Sequence, residues 1–351
     1  MSYPLYKAMK PRVFNIDPVN IDLRALKRSA EVIHNRGLVA FPTETVYGLG
    51  ANALDPKAVA KIFEAKKRPL DDPLIVHISD INDLFNMVLD VPLKIHKLVH
   101  RFWPGPLTIV LKKTNLVPDL VTTGLDTVAV RMPSGVIARK FIEIAKTPIA
   151  APSANLFGRP SPTTAKHVID DLEGRIDVVL DGGSTEIGIE STVVECVDDR
   201  IVVLRPGGID LEELRGIIGD VEVLSSGEDP TAEHTPGKYP QHYSPRAKVV
   251  VVEDTPRQVD EVLEKASRMV ADGKKTGILA RQEHSDLFKD YNVKMLGPGD
   301  DSRICASRLF HMLREFDADN VNMIIAEGIP KKGLGLAVMN RLRKAAGPDS
   351  I

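Results

Sequence analysis

Short apolar runs, each long enough for one buried strand, recur between residues 38 and 205 and most constrain the fold. They include LVAFPT (38–43), PLIVHI (73–78), LTIVL (107–111), TVAVRM (127–132), TPIAAPS (147–153), DVVL (177–180), STVVEC (191–196) and RIVVLR (200–205). Some are separated by helical patterns, such as residues 20–36 and 164–172. The last runs follow one another without helices, so a pure βαβ repeat does not fit. We therefore predict an α/β domain with a mixed sheet and flanking helices.

A second sequence pattern begins after residue 246. The stretch SSGEDPTAEHTPGKYPQHYSP has the composition of a linker. Beyond it, apolar runs alternate with helical patterns, which is typical of a parallel sheet. The chain also exceeds the usual size of one core. We predict a first α/β domain over 1–217, a linker over 218–246 and a smaller Rossmann-like parallel α/β domain over 247–351.

Composition excludes several classes of protein. Of the 351 residues, 43% are hydrophobic and 27% charged, and the net charge of −2 argues against nucleic-acid binding over the whole surface. The first residues lack the apolar core of a signal peptide, and no apolar run could span a bilayer. We expect a cytoplasmic protein without membrane association. Cys196 and Cys305 are isolated, so neither a disulfide nor a zinc site is indicated.

Polar residues lie where the predicted strands run into turns. The common phosphate-loop, dinucleotide, zincin and serine-hydrolase motifs are absent, so a nucleotide would be bound by other means. FPTETVYGLG (41–50) and APSANLFGRPSPTT (151–164) each follow a strand and carry hydroxyls, an amide or a cation. Such groups suit phosphate or carboxylate oxygens, although solvated loops have the same composition. Arg131 lies in an apolar strand and needs an anionic partner, either a protein carboxylate or a ligand.

The segment FEAKKRPLDDPLIVHI (63–78) places three cations before Pro69. Asp55 and Pro56 indicate the start of a helix, so Lys66 to Arg68 lie at its last turn or just beyond. Cations and a proline there are an ordinary stop signal, which explains the charge but not the number of cations. Cations at several separate element ends suggest a polyanionic ligand, such as a nucleoside triphosphate with bicarbonate or a carboxylate. A lone histidine such as His77 is more typical of a core or rim than of a catalytic base.

Seven segments in order resemble the YrdC-like family, and more closely its long two-domain form. They are FPTETVYGLG, KKRP followed by PLIVHI, PGPLTIVL, VAVRMP, APSAN with its SPT continuation, GIESTVVE and LRPGGI. The resemblance covers about residues 20–210 and implies the twisted mixed sheet of that family. The family pattern K-x-R … S-x-N is met by Lys66, Arg68, Ser153 and Asn155. The C-terminal domain matches in arrangement but carries no motif of its own.

The resemblance implies a nucleotidyltransferase that makes threonylcarbamoyl-AMP and pyrophosphate. Its substrates would be ATP, accompanied by Mg²⁺, L-threonine and bicarbonate, with no metal site made by the protein. A separate threonylcarbamoyl-transferase complex would then modify tRNA to threonylcarbamoyladenosine, so tRNA is an indirect partner.

The family pattern also implies roles for individual residues. Catalytic roles fall to Lys66, Arg68, Ser153 and Asn155. Contacts with ATP fall to Arg68, Asp72, Thr127, Ser153, Ser161, Arg205 and Arg246. Contacts with L-threonine fall to Thr45, His77, Arg131, Ala151 and Ser191. Lys66 and Arg68 would form a phosphate clamp at the helix end and neutralise charge on the phosphates together with Mg²⁺. Arg68 is expected to be an exposed cation.

The linker segment TPGKYPQHYSPR (235–246) is unusual in carrying aromatic side chains between prolines. A semi-rigid spacer is the simpler interpretation. We nevertheless predict a lid, in which Tyr239 and Tyr243 fold over the first domain and keep water from a mixed anhydride.

Two other functions compete with this one. An RNA-binding module without catalysis would show clustered cations and exposed aromatic residues, yet aromatic residues make up only 5% of the chain. A carbamoyl-adenylate enzyme of metallocentre maturation would be expected to carry Cys-rich zinc motifs, which are absent here.

Overall fold

The computed structural model describes residues 10–224 and 239–348. Residues 225–238 of the predicted linker therefore lie outside the described residues. Two sheets organise the described ranges, a large mixed sheet in residues 12–223 and a parallel sheet in residues 248–327. This confirms the α/β class with a large mixed sheet and a smaller parallel one. The domain boundaries stay predictions.

The large sheet contains eleven strands within the described part of the chain. They are β1 Arg12–Asn15, β2 Val39–Pro42, β3 Tyr47–Asn52, β4 Ile75–His77, β5 Leu107–Lys112, β6 Thr127–Arg131, β7 Ile149–Ala150, β8 Val178–Asp181, β9 Thr192–Val197, β10 Arg200–Arg205 and β11 Val221–Val223. Their order is β1-β8-β2-β3-β7-β4-β6-β5-β9-β10-β11. β9 and β10 form an antiparallel pair, as their direct succession in sequence predicts. β11 pairs in parallel with β10 and extends the sheet into the predicted linker.

Eight helices flank this sheet in residues 10–224. They are α1 Leu23–His34, α2 Pro56–Lys66, α3 Asn82–Met87, α4 Leu93–Phe102, α5 Asp119–Thr122, α6 Val136–Ala145, α7 Ala165–Leu172 and α8 Leu211–Ile218. α2 begins as its sequence predicts, because Asp55 caps it by accepting a 2.9 Å hydrogen bond from the Lys57 amide. It ends at Lys67, whose left-handed backbone (φ 53°) turns the chain toward the cleft described below.

The core of this domain has two layers, one on each face of the sheet. Ala40 packs in a cluster with side chains of α2 and α4, whereas Val39 and Phe41 pack in a cluster with side chains of α1 and α6. Successive residues of a strand point to opposite faces, so the two clusters cover opposite faces of the sheet. Both faces are apolar, and the polar site residues gather at strand ends.

The C-terminal sheet is parallel throughout, as the alternating sequence pattern predicts. Its strands are β12 Lys248–Val252, β13 Thr276–Arg281, β14 Asn292–Gly297 and β15 Met323–Glu327, in the order β12-β15-β13-β14. Its helices are α9 Gln258–Ala271, α10 Ser302–Ala318 and α11 Gly335–Ala346, with a 3₁₀ segment over Gln282–Phe288. β14 was not predicted from sequence; it is an edge strand that pairs with β13 and is only partly buried along most of its length.

The two domains share one hydrophobic cluster. Val46 and Ile189 of the first domain pack together with Leu309 and Phe310 of α10 and with Tyr243 of the linker. All five side chains are at most 6% exposed. Burial of this kind holds the C-terminal domain against the edge of the large sheet where the site lies.

Candidate active site

An open cleft of about 550 Å³ lies at the ends of β4, β6 and β10. Its lining comprises Thr43, Thr45, Val46, Gly48, Arg68, Ile75, His77, Arg131, Ala151, Pro152, Ser153, Glu190, Ser191, Arg205, His242 and Tyr243. β4 and β6 are parallel, and their register pairs His77 with Arg131 at the last position of each strand. Carboxyl ends of parallel strands meet at one edge of a sheet, where ligands commonly bind. The lining includes every residue predicted to contact L-threonine.

Arg131 is held at the cleft wall by protein groups. One guanidinium nitrogen, Nη2, lies 2.6 Å from Glu44 Oε1, and Nη1 donates a 2.8 Å hydrogen bond to Thr45 Oγ1. Nε donates to the Gly105 carbonyl at 3.2 Å. The sequence left either a protein carboxylate or a ligand as the anionic partner of Arg131. In the structure this partner is the Glu44 carboxylate.

Glu44, the carboxylate partner of Arg131, was not assigned a role from sequence. Its carboxylate also accepts hydrogen bonds from the amides of Ser134 and Gly135, at 3.1 and 3.3 Å. Burial alone would raise the pKa of Glu44, but the Arg131 charge and these amides hold it below its usual value. Glu44 is therefore an anion. The sequence feature that could have indicated Glu44 is its position between Thr43 and Thr45 in FPTETVYGLG.

His77 is buried in the cleft wall, with 3% of its surface exposed. Its Nδ1 lies 3.3 Å from the Ile75 carbonyl oxygen, and its ring meets Phe41 edge-on. Burial and the nearby Arg131 charge lower the pKa of His77 to about 3. The ring is therefore neutral at neutral pH and acts as a wall with a polar edge.

Ser191 and Arg205 form a hydrogen-bonded unit in the cleft lining. Ser191 Oγ lies 2.8 Å from Thr108 Oγ1. Arg205 Nη2 donates to the Ser191 carbonyl at 3.0 Å and to Ser191 Oγ at 3.2 Å. The serine that precedes β9 is thus tied to the end of β10.

Lys66 is buried and does not line the cleft. Its Nζ donates hydrogen bonds to the carbonyl oxygens of Ser153 and Asn155, at 2.5 and 2.6 Å. Only 1% of the residue is exposed. Burial and the neighbouring Arg68 charge lower the pKa of Lys66 well below its usual value. α2 ends against the loop that follows β7, so Lys66 holds that loop.

Arg68 lines the cleft, but it is also buried rather than exposed. Arg68 Nη2 lies 2.9 Å from Asp72 Oδ1, and the two side chains are 4% and 0% exposed. The guanidinium also donates to the carbonyls of Asp72 and Pro73. The αL turn at Lys67 directs Arg68 inward, so the structure pairs two residues that were each predicted to contact ATP.

Ser153 and Asn155 differ in their access to the cleft. Ser153 forms an isolated backbone bridge with Gly48 and lines the cleft. Asn155 is fully buried, and its Nδ2 donates to the carbonyls of Leu156 and Arg159, at 2.8 and 3.0 Å. Asn155 thus stabilises the turn that carries Ser153.

Four residues predicted to contact ATP lie outside the cleft lining, and one of them, Asp72, is the buried partner of Arg68. Thr127 begins β6, at the opposite end of the strand from Arg131. Ser161 is fully buried and donates a 2.5 Å hydrogen bond to Glu190 Oε1, one step behind the lining. Arg246 is exposed and lines a separate surface depression. Its backbone amide donates a 2.7 Å hydrogen bond to Asp317 Oδ1, which fixes the chain at that position.

The described part of the linker lies against the cleft. Tyr239 donates a 2.5 Å hydrogen bond to Asp71 Oδ1, and its ring lies 5.3 Å from that of Phe157. Tyr243 lines the cleft and is 2% exposed. His242 also lines it, and burial together with the Arg68 charge lowers the pKa of His242 well below its usual value. His242 was not assigned a role from sequence, although it lies between the two tyrosines.

Neither a metal centre nor a membrane span is found in the described ranges. Within residues 10–224 and 239–348, no three His, Cys, Asp or Glu side chains are grouped so that they could hold a metal ion. Among the helices of the same ranges, none is long and apolar enough to cross a bilayer.

The fold and the cleft define a two-domain protein with a YrdC-like first domain. A family model for Sua5, YciO and YrdC, described as "Telomere recombination", matches residues 31–207. A model described as "Threonylcarbamoyl-AMP synthase, C-terminal domain" matches residues 209–347. The chain belongs to the threonylcarbamoyl-AMP synthase family, in its two-domain form.

Individual relatives agree with this assignment. The threonylcarbamoyl-AMP synthase of Pyrococcus abyssi is 48% identical over 92% of this chain and 94% of its own length. That of Bacillus subtilis is 45% identical over 92% of this chain and 93% of its own length. A crystal structure of P. abyssi Sua5 complexed with L-threonine superposes with a TM-score of 0.90 at 46% identity, covering 95% of this chain and 97% of that one.

Proposed function

We propose that the protein makes threonylcarbamoyl-AMP from ATP, L-threonine and bicarbonate and releases pyrophosphate, as a nucleotidyltransferase. The observation that carries the proposal is that all the residues assigned to L-threonine line one cleft, in a chain up to 48% identical to named threonylcarbamoyl-AMP synthases. The same cleft contains Arg68, Ser153 and Arg205 from the set assigned to ATP.

The threonine end of the cleft is the wall formed by Thr45, His77, Arg131, Ala151 and Ser191. Hydroxyls and guanidinium groups there would orient the carboxylate and hydroxyl of threonine, while neutral His77 and Ala151 would contact its apolar part. The Arg131–Glu44 pair makes this wall rigid before substrate arrives, which lowers the entropy cost of binding.

The chemistry would proceed in two steps. The threonine amine attacks bicarbonate and water leaves, giving a carbamate. A carbamate oxygen then attacks the α-phosphate of ATP, and the bond from that phosphorus to the pyrophosphate oxygen breaks. Arg68 and Arg205 would stabilise the charge on the phosphates, and Ser153 would position them. Lys66 and Asn155 would support this step by holding the Ser153 loop.

Mg²⁺ would enter as part of the ATP substrate. The carboxylates of Glu44 and Asp72 are paired with Arg131 and Arg68, which leaves them poorly suited to a protein-made metal site. Mg²⁺ commonly binds through phosphates and water, so the ATP phosphates would hold it here.

The linker residues Tyr239, His242 and Tyr243 would close the cleft over the adenylate and keep water from it. The product would pass to a threonylcarbamoyl transferase that acts on tRNA, and a cytoplasmic location is part of this proposal. The alternative, an RNA-binding module without catalysis, lacks support, because the cations of the cleft are buried and singly placed.

Pyrophosphate release tests the proposal directly. We expect release from ATP only when L-threonine and bicarbonate are both present, together with a product of the mass of threonylcarbamoyl-AMP. Equal release after omission of threonine would contradict the proposed function. RNA binding that ignores ATP and weakens steeply with salt would favour the alternative.

A further inference from the structure

Arg341 of α11 reaches from the C-terminal domain into the wall of the cleft. It is 0% exposed, and its Nε donates a 2.7 Å hydrogen bond to Glu190 Oε2. Nη1 donates to the Pro206 carbonyl at 3.0 Å. The guanidinium carbon lies 5.3 Å from the centre of the Tyr243 ring. A buried cation with these partners is held in one orientation.

Glu190 connects Arg341 to Ser161, which the family pattern assigns to ATP. Its second oxygen, Oε1, accepts the 2.5 Å hydrogen bond from Ser161. Glu190 itself lines the cleft and directly precedes Ser191. A continuous path of hydrogen bonds therefore joins α11 to Ser161, with Glu190 at its centre.

The charge on Glu190 determines which way the Ser161 proton points. Burial alone would raise the pKa of Glu190, but the charges of Arg341 and Arg205 hold it below its usual value. An ionised carboxylate only accepts hydrogen bonds, so the Ser161 proton must point at Glu190. The lone pairs of the Ser161 oxygen then remain for other partners.

We propose that Arg341 is a positioning residue for ATP, which fixes Ser161 through Glu190 and holds Tyr243 against the cleft. The C-terminal domain is then part of the nucleotide site rather than an independent module. This inference rests on the proposed function and on the family pattern, which assigns Ser161 to ATP.

The test compares kinetic constants for the two substrates in the full-length chain. Arg341→Met should raise the KM for ATP by about tenfold or more, because hydrogen bonds to charged groups are worth about that factor. The KM for L-threonine should rise less, since Arg131 is held by Glu44 and the Ser191 hydroxyl by Thr108. Arg341→Lys should recover part of the loss, because it restores the charge beside Glu190.

Arg343→Met is the matched control. Arg343 lies on the same helix and forms an ion pair within the C-terminal domain, at 2.7 Å from Glu253 Oε2. Neither residue of that pair lines the cleft. We expect the KM for ATP of this variant to stay near the wild-type value.

A paired substitution covers the case in which Arg341→Met fails to fold because Glu190 is left unpaired. Arg341→Met combined with Glu190→Gln removes both charges. The KM for ATP of this double variant should rise no further than that of whichever single variant shows the larger rise. A folded Arg341 variant with wild-type KM for ATP, or with an equal rise for both substrates, would overturn the inference. An inactive wild-type protein would instead overturn the proposed function.

Discussion

The ammonium nitrogen of Lys66 lies 2.5 Å from the carbonyl oxygen of Ser153. This hydrogen bond joins the K-x-R and S-x-N segments, which are distant in sequence, and a second bond to the Asn155 carbonyl reinforces it. The end of α2 and the loop after β7 are therefore one structural unit. A substitution at Lys66 should affect both folding and catalysis.

Lys66→Met should lower the free energy of unfolding by about 1–3 kcal/mol, because it leaves two buried carbonyl groups without their donor. Pyrophosphate release should fall as the Ser153 loop loses its anchor. Urea unfolding and the ATP-dependent assay measure the two effects. Lys67→Met, at the exposed neighbouring residue, is the control. Unchanged stability in Lys66→Met would show that the bond to Ser153 contributes nothing.

Arg68→Ala should abolish pyrophosphate release and also destabilise the protein by about 3–5 kcal/mol, since it leaves the buried Asp72 without its cation. The combined substitution Arg68→Met with Asp72→Asn removes both charges and separates the two effects. It should regain much of the stability but not the activity. Wild-type turnover in this folded double variant would rule out Arg68 as a phosphate ligand.

Discrimination between L-threonine and L-serine should rest on one methyl group. A small apolar pocket of this kind provides about 10–200-fold selectivity in kcat/KM. Measurement of both constants for each amino acid gives the ratio. Ala151→Gly, which removes a methyl group from the cleft wall, should reduce that ratio. Complete rejection of serine at saturation would mean that the threonine hydroxyl and methyl are recognised in another way.

Stability should fall on acidification because His77 stays neutral in the fold. Its pKa is about 3 when folded, against a usual value of 6.5. Between these values the unfolded chain binds more protons, so the free energy of unfolding decreases as the pH falls, by up to about 1.4 kcal/mol per unit for this group.

His77→Asn should flatten that dependence, whereas His100→Asn, at an exposed histidine, should not. Urea unfolding at several pH values between about 7 and 5 provides the comparison. His167, whose pKa burial also lowers to about 3, adds a separate contribution that both variants retain. Parallel pH profiles for wild type and His77→Asn would contradict the buried neutral state.

Tyr239→Phe tests the lid, because it removes only the hydrogen bond to Asp71. We expect faster loss of the adenylate to hydrolysis and faster proteolysis near residue 239, with ATP and threonine protecting the wild type more than the variant. Tyr291→Phe, which removes an exposed tyrosine hydrogen bond to Ser267, is the control. Cleavage that is the same with and without ligands would identify the segment as a spacer. Truncation after Gly219 is less suitable, since it removes β11 and uncovers Val46 and Ile189.

Local patterns predicted much of the architecture. Asp55 and Pro56 placed the start of α2, the succession of apolar runs predicted the mixed sheet, and the alternating pattern after residue 247 predicted the parallel sheet. The resemblance of short motifs to the family then assigned to L-threonine binding a set of side chains that all line one cleft. These features are readable because caps, turns and periodicity depend on residues a few positions apart.

Only the tertiary structure decided which charges meet. In the structure Lys66 donates to the Ser153 carbonyl and Arg131 pairs with Glu44. Arg341 pairs with Glu190, about 150 positions away in sequence. No local pattern specifies such partners, since the partner of a buried charge is set by how distant elements pack and not by neighbouring residues. Burial then makes each pairing obligatory, because an isolated charge inside a protein costs several kcal/mol.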